Sequence, residues 1–268
     1  MTAHNPAAAF YASPAARGIA ALLRGLHRLS PALGTRVALQ LFFTPVPTKW
    51  LARSRDVPLP WRESRLPFEG GHISVWQRND VAAGRPRVLL AHGWAGDAQQ
   101  MRALGDTLAA VGFDPVLLDL PAHGRSSGWR SNLLQWVRAL FAVSARFGPW
   151  DGVVAHSLGA MALSHALARG LPARRVALVA LAPPPWQFLR WFAQAMGTSE
   201  SLAARMRGHF EQREGASLGH FEPSWLGVRV NQPSRGRIAP ISFKRRMPSR
   251  GGIDPVRAWA ISSYSAAI

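Results

Sequence analysis

VVAHSLGA (153–160) is the stretch on which the reading of this chain turns. A β-branched apolar run leads into Ser157 and small residues follow it, so the serine closes a buried strand and opens a helix. A serine at such a junction has two readings. It caps the helix with its hydroxyl, or it is a nucleophile carried on a tight strand–turn–helix bend. The bend crowds the backbone and so needs small residues two before and two after the serine. Ala155 and Gly159 meet that need.

The flanking segments have the grammar of an α/β fold. PRVLLAH (86–92), FDPVLLDL (113–120), DGVVAHS (151–157) and RRVALVALAP (174–183) are short apolar runs of the buried-strand type. Helical stretches separate them: DAQQMRALGDTLAAVG (97–112), SNLLQWVRALFAVSARFG (131–148) and LGAMALSHALARG (158–170). Alternation of this kind predicts a mostly parallel sheet with helices on both faces. Ahead of it, WRESRLPFEGGHISVWQ (61–77) predicts a hairpin turning at Gly70 and Gly71.

Three loops then fall at the C-terminal ends of strands, where ligands bind in such sheets. They are HGWAG (92–96), PAHGRS (121–126) and the serine bend itself. With HGWAG, DLPAHGRSSG (119–128), VVAHSLGA and the strand order between them, the chain resembles the α/β-hydrolase superfamily in its serine esterase/lipase-like branch. The resemblance covers about residues 60–195. It implies Ser157 as nucleophile and the backbone N–H groups of Trp94 and Leu158 as the oxyanion hole. It also implies that His92 and His123 shape the site without acting as base, that His156 is a neighbour of the bend, and that Asp119 is structural. A serine at the bend sets the chain apart from the haloalkane dehalogenase and epoxide hydrolase branches, whose nucleophile is aspartate.

A serine hydroxyl needs a base, and the base needs a carboxylate to hold its tautomer. Downstream of Ser157 the acids are Glu200, Glu211, Glu214, Glu222 and Asp254, and the histidines are His165, His209 and His220. His165 and His209 fall within helical stretches. His220, in the turn LGH, is the candidate base, with Glu200 as its candidate carboxylate and Glu211 or Glu214 as alternatives. Gly251, Gly252 and Asp254 resemble the setting of the family's acid, yet no histidine follows them. The competing expectation is that the third member is absent.

Residues 1–58 form an N-terminal helical segment in this reading. Within 15–43, Ile19, Leu22, Leu23 and Leu26 keep helical spacing, Arg17, Arg24 and Arg28 lie off that stripe, and Pro31 divides two helices. The pair either covers the main domain or, through residues 15–30, touches a membrane surface weakly. Residues 59–215 form the hydrolase core, with helices from about 184 that act as a lid or cover the sheet. Trp186, Phe188, Leu189, Trp191 and Phe192 either line an apolar acyl or aryl substrate pocket or are ordinary lid or core packing. Residues 216–268 are a basic, Pro/Ser/Arg-rich tail in which only Val228–Val230, Ile238–Phe243 and the short RAWAISSYSAAI (257–268) resemble elements, read as degraded or disordered. A shifted reading frame or genuine divergence would each produce it.

Composition bounds the rest. The net charge of +18 is carried almost wholly by arginine, with lysine only at 49 and 244, and no nucleic-acid motif accompanies it, so no specific nucleic-acid partner is expected. The absence of cysteine removes disulfides and thiolate ligands from consideration. No cofactor or metal is expected. Neither a long apolar span nor a secretory leader is seen, so the expected location is cytoplasmic. The expected activity is hydrolysis of a small or medium carboxylic ester through an acyl-enzyme; the alternative is a catalytically inactive or truncated relative lacking the acid and histidine.

Overall fold

A computed structural model of the chain describes residues 13–45, 49, 56–57 and 59–222. The tail segments Val228–Val230, Ile238–Phe243 and 257–268, and the Gly251–Asp254 stretch, lie outside the described residues. The described chain divides into two compact units, one of residues 13–44 with 183–222 and one of residues 45–182.

The second unit is built on a six-stranded sheet. Its strands are β1 (Trp61–Phe68), β2 (Gly71–Arg78), β3 (Arg87–Ala91), β4 (Asp114–Leu118), β5 (Gly152–His156) and β6 (Val176–Val179), in the order β1-β2-β4-β3-β5-β6. β1 and β2 run antiparallel, as do β2 and β4; from β4 across to β6 the sheet is parallel. The β1–β2 turn falls at Glu69 and Gly70, one residue earlier than the sequence suggests, because both adopt positive φ (43° and 75°) and Gly71 already pairs with Phe68. This two-residue geometry matches the twist of the flanking strands. Glu69 is held there by Gln135 and Arg138, whose side chains donate to its carboxylate.

Strand order and handedness together place the helices. The connection from β3 to β4 carries α3 (Arg102–Ala110), and that from β4 to β5 carries α4 (Leu133–Phe147) back past β3. Since parallel crossovers are right-handed, the reversal puts α3 and α4 on opposite faces. The connection from β5 to β6 continues in the second direction, so α5 (Leu158–Ala168) shares a face with α4, against which it packs. The strand order reverses between β3 and β5, and the crevice beyond their C-terminal ends is where such sheets bind ligands.

β3 and β4 are almost entirely buried and β2 is buried at its centre, from Ile73 to Trp76, with Ile73, Val75, Leu90, Val116 and Leu118 fully so. This explains the apolar runs of β3 and β4 in sequence. α5 is buried from Gly159 to Leu167, which is why no polar face is legible in it. β6 differs: all four of its residues are half-buried, and among the described residues it pairs on one side only.

The first unit is helical. α1 (Pro14–Leu29) and α2 (Pro31–Phe42) are joined by Ser30, whose N–H ends α1 on the Leu26 carbonyl (2.9 Å) while its hydroxyl accepts from Leu33 N–H at the start of α2 (3.4 Å). A Cβ on Gly34 would stand 2.6 Å from His27 Cα, so the two helices cross closely there. α6 (Pro185–Ala195) and α7 (Glu200–Glu214) pack on one another, and α7 packs on α2. Of the five large apolar residues of α6, Leu189 and Phe192 are buried, and Phe192 meets Phe42 edge-on at 5.5 Å. Arg24 Nη1 donates to the Met196 carbonyl just past α6 (3.0 Å). Among the described residues no helix is long and apolar enough to cross a membrane.

Among the described glycines of the sheet unit, the tightest approach to backbone is at Gly159, where a Cβ would stand 2.1 Å from the His92 carbonyl oxygen. Backbone faces backbone, so neither side can yield cheaply. Gly159→Ala should lower stability by about 3 kcal/mol, whereas Gly208→Ala, in α7 with open space around it, should raise it by about 0.5–1 kcal/mol. Urea unfolding of the two variants checks the contrast.

Candidate active site

Ser157 stands between β5 and α5 with φ 53° and ψ −120°, outside the regions that ordinary residues occupy. Such a conformation costs about 1–3 kcal/mol and persists only where its surroundings impose it. Here three backbone bonds do so. Ser157 N–H donates to the Val179 carbonyl (2.9 Å), and its own carbonyl accepts from Met161 (3.3 Å) and Ala182 (3.4 Å). The hydroxyl makes no capping bond to α5, although the residue occupies the capping position. The helix-cap reading of the sequence is thereby excluded. Ala155, fully buried, and Gly159 are the small neighbours that the bend requires.

The HGWAG loop lies against this serine. A Cβ on Gly93 would stand 3.0 Å from Ser157 Cβ and 3.1 Å from His156 Nδ1. Trp94 N–H, the next in the chain, has no acceptor among the described residues, while Ala95 N–H is taken by His123 Nε2 (3.1 Å). Leu158 N–H is the first of α5 and has no acceptor within the helix. The Trp94 ring is fixed by His123 (4.9 Å between centroids) and Trp136 (5.7 Å).

Two histidines rivet the loops together. His92, at the end of β3, accepts from Leu120 N–H through Nε2 (2.9 Å) and donates from Nδ1 to the Gly93 carbonyl (2.7 Å). His123, beyond β4, accepts from Ala95 N–H through Nε2 and donates from Nδ1 to the Pro121 carbonyl (3.0 Å). Each loop thus lends an imidazole to the other's backbone. Both rings must be neutral, since a protonated Nε2 would be a second donor facing an N–H. Burial pushes His92 down to about 4 and His123 well below its usual value. His156 is half-buried, and desolvation lowers it too.

Asp119 anchors the loop after β4. Its carboxylate accepts from Ala98 N–H (2.7 Å), Arg125 N–H (3.0 Å) and Trp76 Nε1–H (3.1 Å). Burial nonetheless pushes the carboxyl up to about 6. Gly124, at φ 49°, closes the turn around it; a Cβ there would fall 2.1 Å from Asp119 Oδ1. Lys49 completes the anchoring: buried, it donates from Nζ to the carbonyls of Ser126 (2.6 Å) and Gly128 and lies over the Trp129 ring. Sequence reasoning missed Lys49. Its one signal was rarity, one of two lysines in a chain whose other bases are arginines. A compact ammonium fits between two carbonyls where a planar guanidinium would not.

The remaining candidates belong to the helical unit. His220 lies in a short 3₁₀ turn, Leu218–Phe221. Glu200, at the start of α7, pairs with Arg190 (2.6 Å). Glu211 accepts from Leu218 N–H (2.8 Å) and so holds the turn that carries His220, and Glu214 pairs with Arg213.

A family model described as alpha/beta hydrolase fold matches residues 86–251. The chain belongs to the α/β-hydrolase fold family. Among solved structures, this hydrolase-fold chain is similar to an alpha/beta hydrolase fold protein from Burkholderia ambifaria, with 25% identity over 49% of each chain and a TM-score of 0.42. It is similar also to epoxide hydrolase A from Mycobacterium thermoresistibile, with 18% identity, 50% of this chain and 45% of that one covered, and a TM-score of 0.41. A thioesterase domain from the curacin biosynthetic pathway matches at 24% identity over 66% of this chain and 70% of that one, with a TM-score of 0.43. The hydrolase-fold chain spans 39–45% of the length of the epoxide hydrolases it matches. No curated protein sequence matches it.

The neutral histidines give the α/β-hydrolase fold here a defined acid response. His92 has an ordinary value of 6.5 and a folded value of about 4. Its stabilising contribution is therefore present above pH 6.5 and lost as pH falls towards 4. Asp119, raised to about 6 from 3.8, acts in the opposite sense: its ionisation weakens the fold as pH rises through 6. Between pH 7.5 and pH 5 the His92 contribution falls by about 2 kcal/mol. In urea titrations at the two pH values, His92→Gln should be less stable than the parent at pH 7.5. The variant's further loss on going to pH 5 should be smaller than the parent's by about 2 kcal/mol. An equal loss in both proteins would refute the assignment.

Proposed function

We propose that the chain is a serine hydrolase that cleaves a small or medium carboxylic ester through an acyl-enzyme intermediate. The observation that supports this most is Ser157 itself, with a strained backbone and a hydroxyl withheld from the helix it precedes. In this reading the Ser157 hydroxyl attacks the ester carbonyl, and the oxygen that becomes negative is met by the N–H groups of Trp94 and Leu158. Donors aimed at a developing oxyanion are the largest electrostatic contribution in acyl transfer. A serine here supports ester rather than epoxide chemistry, since the epoxide hydrolase branch requires aspartate at this position. His220 takes the hydroxyl proton and passes it to the leaving alcohol, with Glu200 as its carboxylate.

A second reading is a relative that binds an ester without turning it over. Glu200 is engaged by Arg190, and Glu211 by Arg207 and the Leu218 N–H, and His92 and His123 are committed to the loops. The two readings separate under a fluorophosphonate probe and a p-nitrophenyl ester. The full chain should be labelled and should turn over, and Ser157→Ala should abolish labelling and lower kcat by at least about a thousandfold. Absence of labelling in the folded parent chain would reject the hydrolase reading. His220→Ala addresses the base separately: kcat should fall by at least about a thousandfold with folding intact, whereas unchanged turnover would remove His220 from the mechanism.

A further inference from the structure

The helical unit carries a surface that the proposed chemistry does not use. Five positions of α1, Gly18, Ala21, Leu22, Gly25 and Leu29, fall within an arc of about 100° on the helix, and all are exposed. The opposite face, Ala16, Ala20 and Leu23, is the buried one. Leu22 is 72% exposed and Leu29 is 88% exposed, and beyond Ser30 the exposed face of α2 adds Leu33 at 45%. Apolar side chains so exposed are ordinary when scattered, but here three project from one helical hairpin across a low floor of glycine and alanine.

Charge on the hairpin is of one sign. The first acidic residue in the sequence is Asp56, so residues 1–55 contain no carboxylate. Arg24 is turned inward onto the Met196 carbonyl. Arg17, Arg28 and Arg36 are exposed, and among the described residues none pairs with a carboxylate. Arg17 and Arg28 border the apolar strip along one side, and Arg36 shares the outer face of α2 with Leu33.

We propose that the α1–α2 hairpin docks on an anionic lipid surface, with Leu22, Leu29 and Leu33 entering the headgroup–acyl boundary and Arg17, Arg28 and Arg36 meeting lipid phosphates and carboxylates. An apolar strip flanked by bases is the pattern that lies in such an interface. A bilayer supplies negative charge and apolar depth together and demands no shape complementarity from a floor of small residues. A second copy of this chain fits less well. Packing hairpin on hairpin would bring arginines together with no carboxylate to separate them. A nucleic acid would match the arginines but leave the leucines against a hydrated phosphate backbone.

Vesicle co-sedimentation of the full chain tests this, comparing phosphatidylserine-containing with pure phosphatidylcholine vesicles. Binding should require the anionic lipid and weaken with salt. Arg17→Gln, Arg28→Gln and Arg36→Gln together should lower partitioning by about a hundredfold, at about fivefold per arginine near such a surface. Leu22→Gln, Leu29→Gln and Leu33→Gln together should lower it by at least about tenfold. All six sites are exposed, and circular dichroism verifies that the fold is kept. A control triple, Arg130→Gln, Arg169→Gln and Arg175→Gln, removes equal charge from exposed sites of the other unit and should change partitioning by less than about fivefold. Equal losses in the two arginine triples would overturn the proposal in favour of diffuse attraction by a basic chain. Concentration-dependent self-association without vesicles, lost in the leucine triple, would overturn it in favour of a second copy.

Discussion

His92 and His123 exchange imidazoles across the crevice at the C-terminal edge of the sheet, and the geometry of the site follows from that exchange. His92 extends from the β3 loop to a backbone N–H of the β4 loop, and His123 returns the bond in the other direction. Ala95 and Ala122, one in each loop, have positive φ values of 57° and 66°, a conformation that side chains normally avoid. The two side-chain bonds hold the loops in that form. Because Gly93 lies between the His92 ring and Ser157, whatever fixes His92 also fixes the wall against which the serine rests. The approach of Gly159 to the His92 carbonyl closes the arrangement from the helix side.

Polar groups are buried there in number, and nearly all are neutral or fully bonded. Asp119 keeps three N–H donors, Ser126 is fully buried with its hydroxyl on the Asp119 carbonyl, and Lys49 is spent on carbonyls. A buried group of this kind stabilises little in itself, but leaving it unbonded costs its whole desolvation. The network therefore acts by exclusion: alternative loop conformations would strand several buried donors and acceptors together. That is a suitable support for a serine whose backbone is itself strained, since the strain has no cheap route of release.

Much of this was legible in sequence, and the reasons differ by element. β3 and β4 announced themselves because burial on both faces leaves unbroken apolar runs; β5 and β6 were legible from similar runs although they are less fully buried. Ser157 was legible because its bend restricts residues two positions away on either side. The roles of His92, His123 and Asp119 came from the family resemblance, and the hydrogen bonds now give them a physical basis. What sequence did not disclose was which atoms each would engage, because the partners are backbone groups with no residue identity. Lys49 was hidden for the same reason, its acceptors being carbonyls 77 and 79 residues away. The sequence points to Gly70 and Gly71 for the hairpin turn because glycine is the usual marker of positive φ, whereas here Glu69, held by α4, takes that role with Gly70.

The almost exclusive use of arginine on the surface has a consequence for how the two units respond to acid. A guanidinium keeps its proton throughout the range in which proteins function, so the outer face of the helical hairpin carries the same charge at every pH the fold survives. The histidine rivets of the sheet unit do not share that constancy. Mild acidification therefore acts on the His92 and His123 bonds around Ser157, opposed in part by Asp119, whereas Arg17, Arg28 and Arg36 keep their charge.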